Sequence, residues 1–213
     1  DNETVDIHLK HVHRTIEPTA PIKDGDTASD GKTLIDGGHE SDLNQSIKRT
    51  IKVTDPEGKK TTTTQVAYIS RTGDLDEVTG HVTYGAWTTD QTSWKAVPVS
   101  AVDGYTLTMD GKPLSPNQDG RFEVPGATVA NGQKDVTVNI NYTANAQKVT
   151  VKFVDDDENK SQVGQAIVKN GVTGQTITDF KDVTTPAGYA LATGQELPTS
   201  YTLTAGQDQT ITI

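Results

Sequence analysis

The 213-residue chain carries a formal net charge of -10 and a pI near 4.8, so it lacks the Lys and Arg clusters that nucleic acid or an anionic membrane surface would reward. It has no cysteine, which removes disulfides and thiolate metal sites as ways of holding it together. Its length suffices for one large domain or two small ones, each with a core of its own.

The first residue is Asp and no apolar run approaches the length of a membrane span. No signal peptide is recognisable, which reads as an excised piece of a longer protein. Roughly one residue in six is Thr, a β-branched residue that fits strands. With 5% aromatics and 19 glycines, the composition is that of a polar, β-rich surface protein and suggests no enzyme core.

In chain order, "VDIHLKHVHRTI" opens with Val5, Ile7 and Leu9 on one face, the alternation of a half-buried strand. His11 and His13 continue that face and His8 opposes it. Close imidazoles can share a metal, but these are expected to be ordinary strand histidines at the end of an apolar stripe. A zinc site would need His39, His81 or acids from elsewhere. The polar stretch that follows, Glu17 to Asp42, has too few apolar residues to build a core. Helix candidates are a turn or two around Ser41 to Ile47 and around Thr178 to Val183. Hairpin punctuation recurs at Asp55-Pro56-Glu57-Gly58, Asp110-Gly111, Asp119-Gly120, Asn131-Gly132 and Asn170-Gly171. "RTGDLDEVTGHVTYGAWT", residues 71 to 88, reads as a hairpin. "VTVNINY" places Val136, Val138, Ile140 and Tyr142 on one face of a half-buried strand, and Val149, Val151 and Phe153 form another.

The sequence also repeats itself. "RTIKVTDPEGKKTTTTQV" from Arg49 parallels "KVTVKFVDDDENKSQVGQA" from Lys148 as strand, acidic turn, Lys and strand. Each copy later reaches a Gly-Tyr pair, Gly104-Tyr105 and Gly188-Tyr189, and closes on a Thr-rich strand. Two related β modules are expected, residues 1–146 and 147–213, with the boundary near Ala144 to Gln147. The hairpin at 71 to 88 is an insertion in the first module, suited to binding or to covering a sheet edge.

Chemistry-bearing patterns are few. Asp155-Asp156-Asp157-Glu158-Asn159 offers oxygens for surface calcium, as do Asp24 and Asp26. The first has Lys160 where an EF-hand needs Gly and Ala166 where it needs Glu, so a solvated turn is expected for both. Gly31-Lys32-Thr33 ends like a phosphate loop, but Asp26 stands where the earlier glycine belongs. No nucleophile elbow or zinc-protease run is present, and no carboxylate pair is framed by an apolar pocket, so no catalytic residue and no cofactor are expected. Tyr84, Trp87 and Trp94 could form a sugar-stacking platform, with burial in a core as the competing expectation.

"RTIKVTD", "ISRTGDLDEVTGHVTYGAWT" and "VSAVDGYT", in that order and with "HLKHVHRTI" upstream, resemble the first part of a mucus-binding protein repeat of lactobacilli. "VTVKFVDDDENKSQVGQ" through "TPAGYALATGQELPTSYTLT" resembles the MucBP-type module of its second part. The resemblance implies a β-rich α+β fold of two tandem β-grasp, ubiquitin-like domains in an elongated rod. It also implies a wall-anchored extracellular adhesin of a Gram-positive bacterium that binds host mucin glycans and, in some repeats, immunoglobulins. A non-catalytic, monomeric adhesion repeat is therefore expected, one of several acting together. An inert spacer and immunoglobulin capture through a strand edge are its alternatives, and glycosidase activity would need two carboxylates facing across a cleft. The net charge disfavours sialylated or sulfated mucin in bulk, leaving hydrogen bonds or a bridging cation for recognition.

Overall fold

The computed structural model describes residues 2–206 and 208–213. Strands β1 (His13–Ile16), β2 (Asn44–Thr54), β3 (Lys60–Ser70), β4 (Gly73–Asp76), β5 (Val82–Tyr84), β6 (Thr88–Thr89), β7 (Ser93–Trp94) and β8 (Val97–Pro98) are followed by β9 (Tyr105–Met109), β10 (Lys112–Pro113), β11 (Glu123–Val124), β12 (Ala127–Thr128) and β13 (Val136–Ala144). The last are β14 (Ala146–Asp155), β15 (Ser161–Val172), β16 (Thr176–Ile177), β17 (Tyr201–Thr202) and β18 (Gln209–Thr212). Among the described residues the sole helix is α1 (Glu40–Leu43). The fold is thus mostly β-sheet with almost no helix, leaner in helix than the α+β expectation.

Both helix candidates fall short, the first because strand patterning takes over after one turn and the second because it closes only a single turn. α1 is capped by Asp42, whose carboxylate accepts the His39 N–H at 3.0 Å. The chain extends from Asn44 because Ile47, Arg49 and Ile51 alternate inward as β2. At 178–183 the buried pair Phe180 and Val183 mimics helical spacing, but it closes a single turn in which the Val183 N–H bonds the Phe180 carbonyl at 3.0 Å.

The chain divides into two compact units. The first holds the residues up to Thr50, Thr63–Val97 and Pro125–Thr137; the second holds Ile51–Thr62, Pro98–Val124 and Val138–Ile213.

In the first unit a hairpin forms within residues 71–88: β4 pairs with β5, Leu75 opposite Val82. β1 covers the other edge of β4, His13 opposite Asp76 and Ile16 opposite Gly73. The strand expected from Val5 does not form. β4 ends opposite His13 and its chain turns away through Glu77, so residues 5–9 pair with no strand among the described residues, and Leu9 is 91% exposed. The polar stretch also departs from expectation, since Ile22 and Ile35 are buried with Ile16, Leu43, Leu75 and Val82 in one cluster. It builds no core alone but completes that of the hairpin, each such side chain contributing about 1.5–3 kcal/mol. A second cluster joins Ile47, Ala67, Ile69, Trp94 and Val129, with Trp87 packed against it. Beside it Arg49, 3% exposed, donates Nε to Gln65 Oε1 at 2.9 Å, Nη1 to the Pro125 carbonyl at 2.7 Å and Nη2 to the Lys95 carbonyl at 3.1 Å. A guanidinium fork can meet three acceptors from separate segments at once, and burial pulls its pKa below the usual value.

In the second unit, Asp110-Gly111 makes the β9–β10 hairpin and β9 pairs antiparallel with β13. β14 is central in a mixed three-stranded sheet, antiparallel to β15 and parallel to β18. Its inward Val149, Val151 and Phe153 pack with Ile177, Phe180, Val183, Leu203 and Ile213. Asn170-Gly171, expected as a turn, lies inside β15. A Cβ on Gly171 would sit 2.6 Å from Leu203 Cδ1, so glycine serves close packing there and the chain turns later, at Thr173-Gly174. At the expected module boundary the Asn145 N–H bonds the Gly104 carbonyl at 2.8 Å, and the Asn145 carbonyl accepts the Thr173 N–H at 3.0 Å.

Candidate functional site

The three aromatic candidates of the first unit do not form one platform. Trp94, inward-facing on β7, is 2% exposed and offers no ring face to a ligand. Tyr84, at the end of β5, is 37% exposed, and its hydroxyl accepts the Gly38 N–H at 3.0 Å. The Arg71 guanidinium lies over the Tyr84 ring at 3.9 Å and the Trp87 ring at 4.3 Å, while its Nε donates to the Asp42 carbonyl at 2.7 Å. One face of each ring is therefore already taken by a cation held from α1. What reaches solvent is an arginine–aromatic patch.

Two of the N-terminal histidines, His11 and His13, meet carboxylates of β4. His11 Nδ1 lies 2.7 Å from Asp76 Oδ2 and His13 Nδ1 lies 2.9 Å from Asp74 Oδ2, while Arg14 Nε donates to Glu77 Oε1 at 2.7 Å. Glu77 Oε2 also accepts the Ser29 N–H at 2.7 Å. These contacts fasten the N-terminal strand to the hairpin. The period-two spacing of both His11/His13 and Asp74/Asp76 was visible in sequence, but their pairing needed the register. Hydrogen bonding from His11 holds the Asp76 carboxyl well below its usual range, and Arg14 does the same for Glu77. A depressed folded pKa means that the contribution is complete above the ordinary carboxylate value of about 4 and is lost as pH falls below it. Amide exchange, corrected for intrinsic rates, should show β1 losing protection between pH 6 and pH 3 while β14 keeps its own. Equal β1 protection at both would contradict this, and Asp76→Asn should weaken β1 protection already at pH 6.

The acidic turns are internally bonded. Asp155 Oδ1 accepts the N–H groups of Asp157 at 2.9 Å and Glu158 at 3.3 Å, and Lys160 Nζ pairs with Asp156. Asp26 accepts the Lys23 N–H at 2.8 Å, and Asp24 lies 3.4 Å from His39 Nε2. Among the described residues no three His, Asp or Glu side chains gather as a metal site. Asp30, just before Gly31-Lys32-Thr33, accepts from the Thr33 hydroxyl and the Lys32 and Thr33 N–H groups, which hold its pKa down.

A cleft of about 770 Å³ opens between the β14–β15 turn and the 185–195 loop. Asp155, Asp156, Asp157 and Lys160 line one wall, Tyr189 and Gln195 line the other, and Phe153 and Ile213 of the core lie behind them. In the sequence the turn and the Gly188-Tyr189 pair stand out separately. Nothing in the sequence says that they face one cleft.

Comparison with known proteins decides the family. The Muc B2-like domain model matches residues 38–146, about half of the chain. The chain belongs to the Muc B2-like domain family. No curated protein matches it. Among solved structures, the mucin-binding domain of Spr1345 from Streptococcus pneumoniae is 26% identical, over 47% of this chain and 91% of that one, with a TM-score of 0.36. The MucBP domain of an adhesion protein from Pediococcus pentosaceus is 27% identical, over 47% and 99%, with a TM-score of 0.31. The type 2 repeat of the mucus binding protein MUB from Lactobacillus reuteri is 20% identical, over 62% and 59%, with a TM-score of 0.32. The Muc B2-like segment includes the hairpin, Arg71 and the three aromatics, and it ends ahead of the acidic turn and the cleft.

Proposed function

We propose that this Muc B2-like chain is a non-catalytic adhesion module that binds host mucin glycoproteins from the extracellular, wall-anchored surface of a Gram-positive bacterium. The observation that carries the reading is the family match over residues 38–146. Among the described residues no helix is long and apolar enough to cross a membrane.

We read the chain as two tandem β-grasp modules, residues 1–146 and 147–213. A shared local geometry supports this. The Tyr105 N–H bonds the Val102 carbonyl and the Tyr189 N–H bonds the Pro186 carbonyl, both at 3.1 Å, across Gly104 and Gly188 at φ of 82° and 86°. The parallel β14–β18 pair is a further point in its favour. Contact with glycans is assigned to exposed Thr, Asn, Asp and Gln side chains, with the patch of Tyr84, Trp87 and Arg71 as the aromatic contribution. Binding of this kind is weak per module and gains by avidity across several.

Surface plasmon resonance of the chain on immobilised mucin, at low and high sodium chloride, tests the mode of contact. With a net charge of -10 and no basic cluster, salt should leave affinity unchanged or slightly improved, because it screens repulsion. A steep fall with salt would mean a cation-driven interaction and would contradict the reading.

A further inference from the structure

We propose that the cleft between the β14–β15 turn and the 185–195 loop is a binding site for an uncharged sugar. The inference rests on the adhesion reading and gives it a location and a ligand class. At about 770 Å³ the cleft is within the range of small-molecule sites and admits more than one hexose ring.

Both walls are fixed before any ligand arrives. On one side Asp155 holds the turn through the N–H groups of Asp157 and Glu158, and the Lys160 N–H returns to the Asp155 carbonyl at 2.9 Å. On the other, two consecutive turns close with the Tyr189 N–H on the Pro186 carbonyl at 3.1 Å and the Gln195 N–H on the Ala192 carbonyl at 3.0 Å. Gly188 and Gly194, at φ of 86° and 82°, supply the left-handed residue each turn requires. The wall behind is also tied, with the Val154 N–H on the Ile213 carbonyl at 2.8 Å. A preformed cleft spares a weak ligand the cost of ordering its site.

The lining selects the ligand. Tyr189 is 47% exposed and presents an aromatic surface suited to the C–H face of a pyranose. Asp157 lines the cleft with no hydrogen-bond partner for its carboxylate among the described residues, and Gln195 adds an amide. Ionised carboxylates only accept hydrogen bonds, and adjacent sugar hydroxyls are donors that match them. Three carboxylates face one ammonium, and that ammonium is already paired with Asp156. Sialic acid or a sulfate ester would meet net negative charge there. The ligand is therefore a neutral sugar, bound by stacking on Tyr189 and by hydroxyl donation to Asp157.

The test is an amide NMR titration of the full chain with lactose and, separately, with sialyllactose. Lactose should shift the amides of Asp157, Tyr189 and Gln195, and sialyllactose should not. Tyr189→Ala and Asp157→Asn, both confirmed folded by unchanged dispersion, should each weaken lactose binding at least about 10-fold and reduce capture on mucin. Shifts confined to other regions, equal shifts with both sugars, competition by a lysine-rich peptide, or loss of the lactose shifts on adding a chelator would each overturn the proposal. A wild-type chain that binds mucin while both variants bind it equally well also overturns it, leaving the adhesion reading intact. A wild-type chain with no mucin binding at all removes that reading instead.

Discussion

Trp94→Ala should lower the stability of the first unit by about 3–5 kcal/mol, the range for truncating a buried large aromatic. The ring is 2% exposed among Ile47, Ala67, Ile69 and Val129, and the Arg49 guanidinium stands 5.6 Å from its centroid. Truncation therefore opens a cavity beside a buried cation that is already committed to two backbone carbonyls and Gln65. Trp94→Phe should cost much less. The indole Nε1 is buried without a partner among the described residues, so phenylalanine keeps most of the apolar contact and removes an unsatisfied donor. Denaturation followed through Trp87, the remaining tryptophan, reports on the same unit. A loss below about 1 kcal/mol for Trp94→Ala would show that the cluster is not the core described here.

Trp94 and Trp87 take separate roles that the sequence does not distinguish. Trp87 and Trp94 stand seven positions apart, flanking a polar connection, and composition alone gives no reason to treat them differently. The backbone does: Trp94 turns inward on β7, opposite Ala127, while Trp87 remains at the margin under Arg71. Where burial followed from a simple period of two, as at Val149, Val151 and Phe153, the strand and its inward face were legible. The same period misled at Val5, Ile7 and Leu9, because alternation describes a strand's faces and says nothing of whether a neighbour exists to pair with it. Asn170-Gly171 misled in the opposite way. The dipeptide has the chemistry of a turn, but its glycine answers to the Leu203 side chain packed against it.

The candidate sites divide along the same line. The 71–88 hairpin and the acidic turn are local, and sequence punctuation located both. The His11–Asp76 and His13–Asp74 contacts span more than sixty positions and depend on the β1–β4 register. The cleft joins the turn at 155–160 to the loop at 185–195, two segments whose convergence is a property of the tertiary fold. Ile22 and Ile35 are a similar case, too sparse to signal a core until the hairpin supplies Leu75 and Val82.

The central claim is that the chain recognises mucin through its glycans. Its most direct test is the binding isotherm of the full chain on immobilised mucin, set beside the isotherm on the same mucin chemically stripped of its glycans. Saturable binding to intact mucin, weakened at least about 10-fold on the stripped polypeptide, is the predicted result. Equal binding to both surfaces, or no saturable binding to intact mucin, would contradict it.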